Sequence, residues 1–244
     1  MGFIVSGRGI EANPAKIRAL SQLDIPKDLK QIQKLTGCVT ALSRFISRLG
    51  EKALPLYRLL RCTEHFEWTD AATAGLEEIK AILATNPVLA APNMGEPMLL
   101  YIATTHQVVS AVLVVERETD GHKFPLQKPV YYVSTVLTPC KSRYLHYQKI
   151  AYTVFMASRK LRHYFQECSI TVASEVPLND IINNRDATGR IAKWAIELLP
   201  FDITYKPRRA IKSQVLADFV AEWTEAELPK EYDAYSDWLM HFDG

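Results

Sequence analysis

The residues best suited to bind a ligand lie between Asp28 and Gly50, in the stretch DLKQIQKLTGCVTALSRFISRLG. At the roughly 3.6-residue period of an α-helix, one face of this stretch is basic at both ends and small in the middle. The members of that face are Lys30, Gln33, Lys34, Gly37, Ala41, Arg44 and Arg48. Basic side chains bind phosphates, and a glycine lets a helix backbone come close to its ligand. The pattern predicts docking of nucleic acid, although a basic helix face can also be simply solvated.

An amphipathic helix must position these side chains. Apolar residues recur on the opposite side of the same stretch, as such a helix requires. They are Leu29, Ile32, Leu35, Val39, Leu42, Phe45, Ile46 and Leu49. The pattern predicts one continuous helix that Gly50 ends. Shorter helices are predicted before it, from Asn13-Pro14 to Leu20, and after it, from Leu54 to Leu60.

The charge distribution also favours an anionic partner near the N-terminus. The chain has 244 residues, 48% of them hydrophobic and 23% charged, which is typical of a globular protein. Basic residues dominate before Cys62, and acidic residues dominate after Asp218. The four cysteines lack zinc-site spacing and favour a reducing compartment, and no apolar run is long enough for a membrane span. We therefore expect a soluble, intracellular protein that is not secreted and has no membrane partner.

The order of elements after Trp68 predicts an α/β domain. Thr69 is suited to cap a helix from Asp70 to Ala84. Predicted strands follow at 98–105, 107–116, 130–134, 170–173 and 203–205, and predicted helices at 143–163, 189–199 and 213–223. Strands come first and then alternate with helices, so we expect a five-stranded mixed sheet flanked by helices.

Several segments in unbroken order resemble a known family. They are GFIVSGRGIEANPAKIRAL, IQKLTGCVTALSRFI, FEWTDAATAGLEEIKAIL, NPVLAAP, RKLRHYF, GRIAKWAIELLPFDITYKP and VLADFV. Together they resemble the pol polyprotein of gypsy-type LTR retrotransposons, in particular plant elements with two RNase H domains in tandem. The resemblance extends from Met1 to about Trp223, and WLMHFDG is similar to the opening strand of the second RNase H domain.

The resemblance implies a domain order and a direction in which the chain continues. It gives the end of a reverse transcriptase palm (1–12), a small helical thumb (13–66), an RNase H-like connection domain (67–223), an acidic linker (224–237) and the start of a second RNase H domain (238–244). We therefore expect palm and fingers upstream, and the active RNase H and integrase portions downstream. Asp243 would be the first metal-binding aspartate of that second RNase H domain.

The resemblance also assigns nucleic-acid contacts. In retroviral thumb helices a glutamine, a glycine and a third residue track the minor groove of the template-primer, and these positions fall on Gln33, Gly37 and Ala41. The family often has an aromatic residue where this chain has Ala41. Gly2 and Phe3 fall in the hairpin that grips the primer terminus.

The same comparison implies that the connection domain has lost its metal site. Hydrolysis by two metal ions needs several carboxylates that converge on the cations. The family's carboxylate positions fall here on Ala103, Gln148, Glu175 and Asp218, so that only the last aspartate is kept. An alternative site built from His106, His146 and His163 lacks regular ligand spacing. We expect no metal in this chain, with Mg²⁺ needed only by the intact parent enzyme.

These inferences predict a non-catalytic piece of an RNA-directed DNA polymerase and ribonuclease H, placed in the cytoplasm, in a virus-like particle, or in the nucleus. Its expected activity is sequence-independent binding of template-primer or RNA–DNA hybrid. One alternative is an active hybrid ribonuclease with a rearranged metal site. Another is a host-retained protein-interaction module without a nucleic-acid function.

Overall fold

A computed structural model describes residues 2–61, 66–118, 125–184 and 189–207. The predicted helix at 213–223, the acidic linker at 224–237 and the strand at 238–244 lie outside the described residues, and so do Asp218 and Asp243.

The first hairpin belongs to a three-stranded antiparallel sheet. Its strands are β1 (Phe3–Ser6), β2 (Gly9–Ala12) and β3 (Val88–Leu89), in the order β1-β2-β3. Ile10 pairs with Leu89 and Glu11 with Val88, so that the third strand comes from a distant part of the chain. β3 was not predicted, because two residues are too few to show an alternating pattern.

Four helices follow this hairpin and form the helical unit of the protein. They are α1 (Pro14–Ser21), α2 (Leu29–Ala41), α3 (Leu49–Lys52) and α4 (Leu54–Leu59). Asn13 caps α1 by accepting a hydrogen bond from the Ala15 amide, and Asp28 caps α2 through the Gln31 amide. A longer helix, α5 (Asp70–Ala84), packs against α4 and begins after the predicted cap Thr69.

The continuous helix predicted from Asp28 to Gly50 is wrong. α2 ends at Ala41, a 3₁₀ turn occupies Ser43–Phe45, and α3 begins only at Leu49. Arg48 has a left-handed backbone (φ 52°), which a right-handed helix cannot include. The apolar pattern continues beyond the end of α2, because Leu42, Phe45, Ile46 and Leu49 are also buried although they do not belong to that helix.

The second half of the chain forms the predicted five-stranded mixed sheet, with the strand order β6-β5-β4-β7-β8. β4, β5 and β6 are antiparallel, whereas β7 runs parallel to both β4 and β8. The strands are β4 (Met98–Thr104), β5 (Val108–Arg117), β6 (Leu126–Val136), β7 (Ile170–Ser174) and β8 (Ile203–Pro207). The structure confirms the α/β fold class that the sequence predicted.

Five helices accompany this sheet. They are α6 (Pro139–Ser142), α7 (His146–Lys160), α8 (Arg162–Glu167), α9 (Leu178–Ile182) and α10 (Gly189–Leu198). The predicted helix at 143–163 is divided at Leu161, where the backbone leaves helical geometry (φ −114°, ψ 33°). Among the described helices, none combines the length and apolar character that crossing a bilayer requires.

The sheet separates two hydrophobic clusters. On one face, residues such as Leu100, Leu113 and Val172 pack with α7, α8 and α10. On the other face, Tyr101 and Val112 pack with the helical unit and α5. The helical unit and the second face of the sheet therefore share one apolar cluster, whereas the first face forms a separate cluster with its own helices.

Candidate nucleic-acid interface

The α2 outer face, as we call it here, consists of five exposed residues on the solvent side of α2. They are Lys30, Gln33, Lys34, Gly37 and Ala41. The opposite side of α2 is fixed in the core by Ile32, Leu35 and Val39. The structure thus keeps five of the seven residues that the sequence placed on one basic face.

Gly37 lies in the middle of this face with open space in front of it. A Cβ built on Gly37 would meet no atom within 4 Å. Packing among the described residues therefore does not require a glycine here. Glycine inside a helix costs about 1 kcal/mol relative to alanine. The protein keeps a destabilising residue at the one point where the α2 backbone is directly accessible.

Lys30 and Lys34 flank this bare point and carry its positive charge. Within the described part of the chain, neither lysine forms a hydrogen bond or an ion pair. The two ammonium groups are four residues apart on the same helix side, where like charges repel each other. An anionic ligand would relieve this repulsion, since no described carboxylate does so.

Arg44 does not belong to the α2 outer face, which corrects the sequence-based prediction. It lies in the 3₁₀ turn after α2, with its guanidinium 4.7 Å from the Phe3 ring centre and 4.5 Å from that of Tyr131. Burial raises the pKa of the Tyr164 hydroxyl, and the nearby positive charge of Arg44 opposes this rise. Arg44 therefore joins the hairpin, β6 and α8, and its contacts are those of a structural residue.

Arg48 is likewise removed from the predicted face. It is only 7% exposed, and its guanidinium forms two hydrogen bonds with the Glu51 carboxylate, Nε to Oε1 at 3.0 Å and Nη2 to Oε2. A buried arginine paired with a carboxylate cannot reach a phosphate without breaking that pair. Arg48 therefore does not lie on the α2 outer face, and its predicted phosphate contact stays a prediction.

The predicted primer-grip residues lie beside the end of α2. A Cβ on Gly2 would collide with the Ala41 carbonyl oxygen, so that this close approach requires a glycine. The Gly2 carbonyl accepts a hydrogen bond from the Asn13 amide at 3.1 Å. Phe3 lies under the Arg44 guanidinium, as described above. The structure thus places the start of the hairpin against the C-terminal end of the α2 outer face.

Within the described ranges, three of the four positions that correspond to the RNase H carboxylates can be located, and they are Ala103, Gln148 and Glu175. Ala103 is 1% exposed and belongs to the cluster shared with the helical unit, whereas α7, which carries Gln148, packs on the opposite face of the sheet. The Gln148 side chain accepts a hydrogen bond from the Leu145 amide and so closes the first turn of α7. Glu175 is exposed and lies 3.4 Å from His146 Nε2.

A buried lysine of α7 lies at the C-terminal end of β4, the strand that carries Ala103. Lys149 is 8% exposed, and its ammonium donates hydrogen bonds to the carbonyl oxygens of Thr105 and His106, both at 3.2 Å. These carbonyls form the turn that follows β4. A fixed positive charge here disfavours a divalent cation nearby. Among the described residues, no three histidine, cysteine or acidic side chains lie together.

The sequence did not reveal Lys149 or the two aromatic partners of Arg44. Lys149 follows Gln148 directly and reads as an ordinary helix residue. The contact between Arg44 and Tyr131 joins positions far apart in the chain, and no local pattern predicts such a contact. The packing of the 3₁₀ turn against β6 brings them together.

Comparison with known proteins identifies the second half of the chain. Residues 68–172 match the family described as the RNase H-like domain found in reverse transcriptase. The chain is 26% identical over 233 residues to a retrovirus-related Pol polyprotein from transposon opus of Drosophila melanogaster, covering 89% of this chain and 22% of the relative. It is 25% identical over 223 residues to the Tf2-3 transposon polyprotein of Schizosaccharomyces pombe, covering 86% of this chain and 16% of the relative. The chain therefore spans about a fifth or less of these polyproteins.

Solved structures agree with this fold. A foamy viral protease-reverse transcriptase in complex with RNA/DNA hybrid superposes with a TM-score of 0.68 and 20% identity, over 86% of this chain and 29% of that chain. The same enzyme in complex with dsDNA gives a TM-score of 0.68 and 21% identity, over 86% of this chain and 44% of that chain. Residues 68–172 therefore match the RNase H-like domain found in reverse transcriptase, and the relatives that the chain resembles are retrotransposon polyproteins.

Proposed function

We propose that the α2 outer face docks RNA–DNA hybrid or duplex nucleic acid without selecting its sequence. In this proposal the helical unit is the thumb of a reverse transcriptase. The RNase H-like domain is a connection domain that holds the thumb in place and cuts nothing. The parent would be a gypsy-type retrotransposon polyprotein that supplies palm and fingers, a second RNase H domain and integrase.

The observation that carries this proposal is the accessible backbone at Gly37. A helix glycine with empty space before it is costly unless something outside the chain uses that space. Lys34 lies about one helical turn and Lys30 about two turns to the N-terminal side of Gly37. In this position both lysines can contact phosphates of a nucleic acid that lies against Gly37. Lysine contacts to phosphates provide affinity and orientation but carry no sequence information.

Two further observations support the proposal. The structural neighbours named above were solved with RNA/DNA hybrid and with dsDNA. The shared core also fixes α2 relative to the sheet, because Leu35, Val39 and Val112 belong to one cluster. A rigid face presents its charges in a constant arrangement, which suits a ligand with a regular helical backbone.

The test measures the affinity of the full chain for a fluorescently labelled RNA–DNA hybrid by anisotropy. Lys30→Gln combined with Lys34→Gln should weaken binding, and the slope of log affinity against log salt should fall by about 0.9 for each lost phosphate contact. Lys193→Gln combined with Lys206→Gln is the matched control, because it removes the same charge from exposed positions of α10 and β8. Equal effects of the two double variants would contradict the proposal.

A second arm tests the absence of cleavage. The full chain is incubated with the labelled hybrid and Mg²⁺ or Mn²⁺, and we expect the RNA strand to remain intact. Cleavage that Asp218→Asn abolishes would show an active nuclease and would overturn the connection-domain assignment. A chain without affinity for hybrid at low salt would favour a protein-interaction module.

A further inference from the structure

A groove runs between the helical unit and the sheet, away from the residues of the α2 outer face. Its walls come from α3 and α4 on one side and from β6, α6, the end of α7 and the residue before β5 on the other. We call it the junction groove. Its volume is about 650 Å³, which is within the range of roughly 300–1,000 Å³ that is typical of small-molecule sites.

Lys160 projects from the end of α7 into the wall of the junction groove. Its ammonium donates hydrogen bonds to the Ser134 carbonyl oxygen at 3.2 Å and to Thr135 Oγ1 at 2.8 Å. Both acceptors are neutral, so they hold the ammonium in place without compensating its charge. Burial lowers the pKa of the Lys160 ammonium.

Two arginines add to this positive charge. Arg58 donates a hydrogen bond from Nη2 to Gln107 Oε1 at 2.9 Å, which ties the α4 side of the groove to the sheet side. Arg61 lies on the same wall and is exposed. No aspartate or glutamate occurs among the described residues that line the groove. The groove is therefore cationic on both of its walls.

The rest of the lining is apolar and includes one aromatic ring. Tyr57 is half-buried on the α4 wall, and Leu54, Leu60 and Leu137 surround the same space. Tyrosine and leucine side chains offer a surface on which a flat heterocycle can stack or rest. The groove thus combines cations for an anionic group with an apolar surface for a ring.

We propose that the junction groove binds a nucleotide phosphate, either as a free nucleoside monophosphate or as the phosphorylated end of a single strand. Arg61 and Lys160 contact the phosphate, and Tyr57 contacts the base. An acidic peptide would satisfy the cations but would leave the ring-sized apolar surface uncovered. This proposal does not rest on hybrid docking by α2, because it uses a different set of residues.

Isothermal titration calorimetry of the full chain tests the proposal with four probes. They are thymidine monophosphate, hexathymidylate with a 5′-phosphate, hexathymidylate without it, and hexaglutamate. The first two should bind, and the unphosphorylated strand should bind more weakly. Equal molar affinity of the monophosphate and the phosphorylated strand identifies the free nucleotide as the ligand, and tighter binding of the strand identifies the strand end.

The groove variant is Arg61→Ser combined with Lys160→Gln. Loss of two charged contacts should weaken both phosphorylated probes at least ~10-fold, while Lys193→Gln with Lys206→Gln, at exposed positions outside the groove, leaves them unchanged. Arg61→Ser alone, at an exposed position, gives the same direction of change if the double variant does not fold. Hybrid affinity is measured on the same proteins. The groove variant should leave it unchanged, whereas Lys30→Gln with Lys34→Gln should weaken it. This difference separates the proposal from hybrid docking by the α2 outer face.

Two results would overturn the proposal. One is hexaglutamate binding as tightly as the phosphorylated strand, which would show a site for acidic peptides. The other is phosphorylated probes that bind wild type and groove variant equally, or that do not bind wild type at millimolar concentration.

Discussion

The Gly50 amide donates a hydrogen bond to Ser134 Oγ at 2.8 Å, and this contact joins the helical unit to the sheet. The Ser134 hydroxyl lies 2.9 Å from that of Ser110, which is fully buried on the neighbouring strand β5. One backbone amide of α3 is thus tied to two strands through two hydroxyls. Because Ser110 is fully buried, loss of its hydroxyl partner would leave a buried polar group unsatisfied, which is costly.

The first prediction concerns Gly50. A Cβ at this position would lie 2.6 Å from Ser134 Oγ and 2.7 Å from Val108 Cγ1, so that Gly50→Ala must displace these side chains or the α3 backbone. We expect the free energy of unfolding to fall by about 1–3 kcal/mol, measured by urea denaturation. The matched control is Gly37→Ala, where the new methyl group meets nothing within 4 Å. This control should stabilise the protein by about 0.5–1 kcal/mol through helix propensity.

Opposite signs for the two glycine variants would support a tightly fitted junction. A stabilising effect of Gly50→Ala would show instead that α3 and β6 are not in close contact.

The second prediction concerns Arg44. Arg44→Ala removes the cation–π contacts with Phe3 and Tyr131, and should lower the free energy of unfolding by about 1–3 kcal/mol. It should leave the salt dependence of hybrid binding unchanged, because this guanidinium is covered by aromatic rings. Thermal unfolding and anisotropy titrations on the same preparation provide both readouts. If the salt slope falls as it does for the lysine pair, Arg44 contacts phosphate after all.

The third prediction is a pH dependence that comes from Glu96. Its carboxylate accepts hydrogen bonds from Arg117 Nε at 2.9 Å and Nη2 at 2.8 Å, and also from the Asn93 amide at 2.8 Å. The hydrogen bond from Arg117 is the main cause that holds the pKa of Glu96 below its ordinary value of 4.5. A lowered pKa means that folding is stabilised above pH 4.5 and that this contribution is lost as the pH falls through the folded-state pKa.

Glu96→Gln should therefore lower stability at pH 7 and flatten the loss of stability below pH 4.5. Urea denaturation at a series of pH values between pH 3 and pH 7 measures this. Glu77→Gln is a suitable control, because Glu77 forms only a largely exposed ion pair with Lys80. Parallel pH curves for Glu96→Gln and wild type would show that the carboxylate pair does not form in solution.

Local sequence patterns predicted this fold well for elements in which the apolar pattern extends over several turns of helix. Helix α5 begins after Thr69 and ends at Ala84 as predicted, because a cap and an apolar stripe coincide there. The same reasoning joined α2, the 3₁₀ turn and α3 into one helix. The left-handed backbone of Arg48 has no sequence signature, since arginine rarely adopts it.

The candidate site was predicted only as far as α2 extends. Lys30, Lys34 and Gly37 lie on one exposed face, because helical period alone determines it. The direction of Arg44 depends instead on Phe3 and Tyr131, which come from other elements. The junction groove was not foreseen either, because it forms only where the helical unit meets the sheet.

The affinity of Gly37→Leu for RNA–DNA hybrid tests the docking role of α2 most directly. Leucine removes no charge and favours helix more than glycine does, so the variant should be at least as stable as wild type. Its side chain occupies the open space in front of Gly37, and Thr40→Leu on the flank of the same helix is the control. We predict that Gly37→Leu binds hybrid at least ~10-fold more weakly while Thr40→Leu binds as wild type does, a loss of about 1.4 kcal/mol. Wild-type affinity in a folded Gly37→Leu protein would contradict docking on this face.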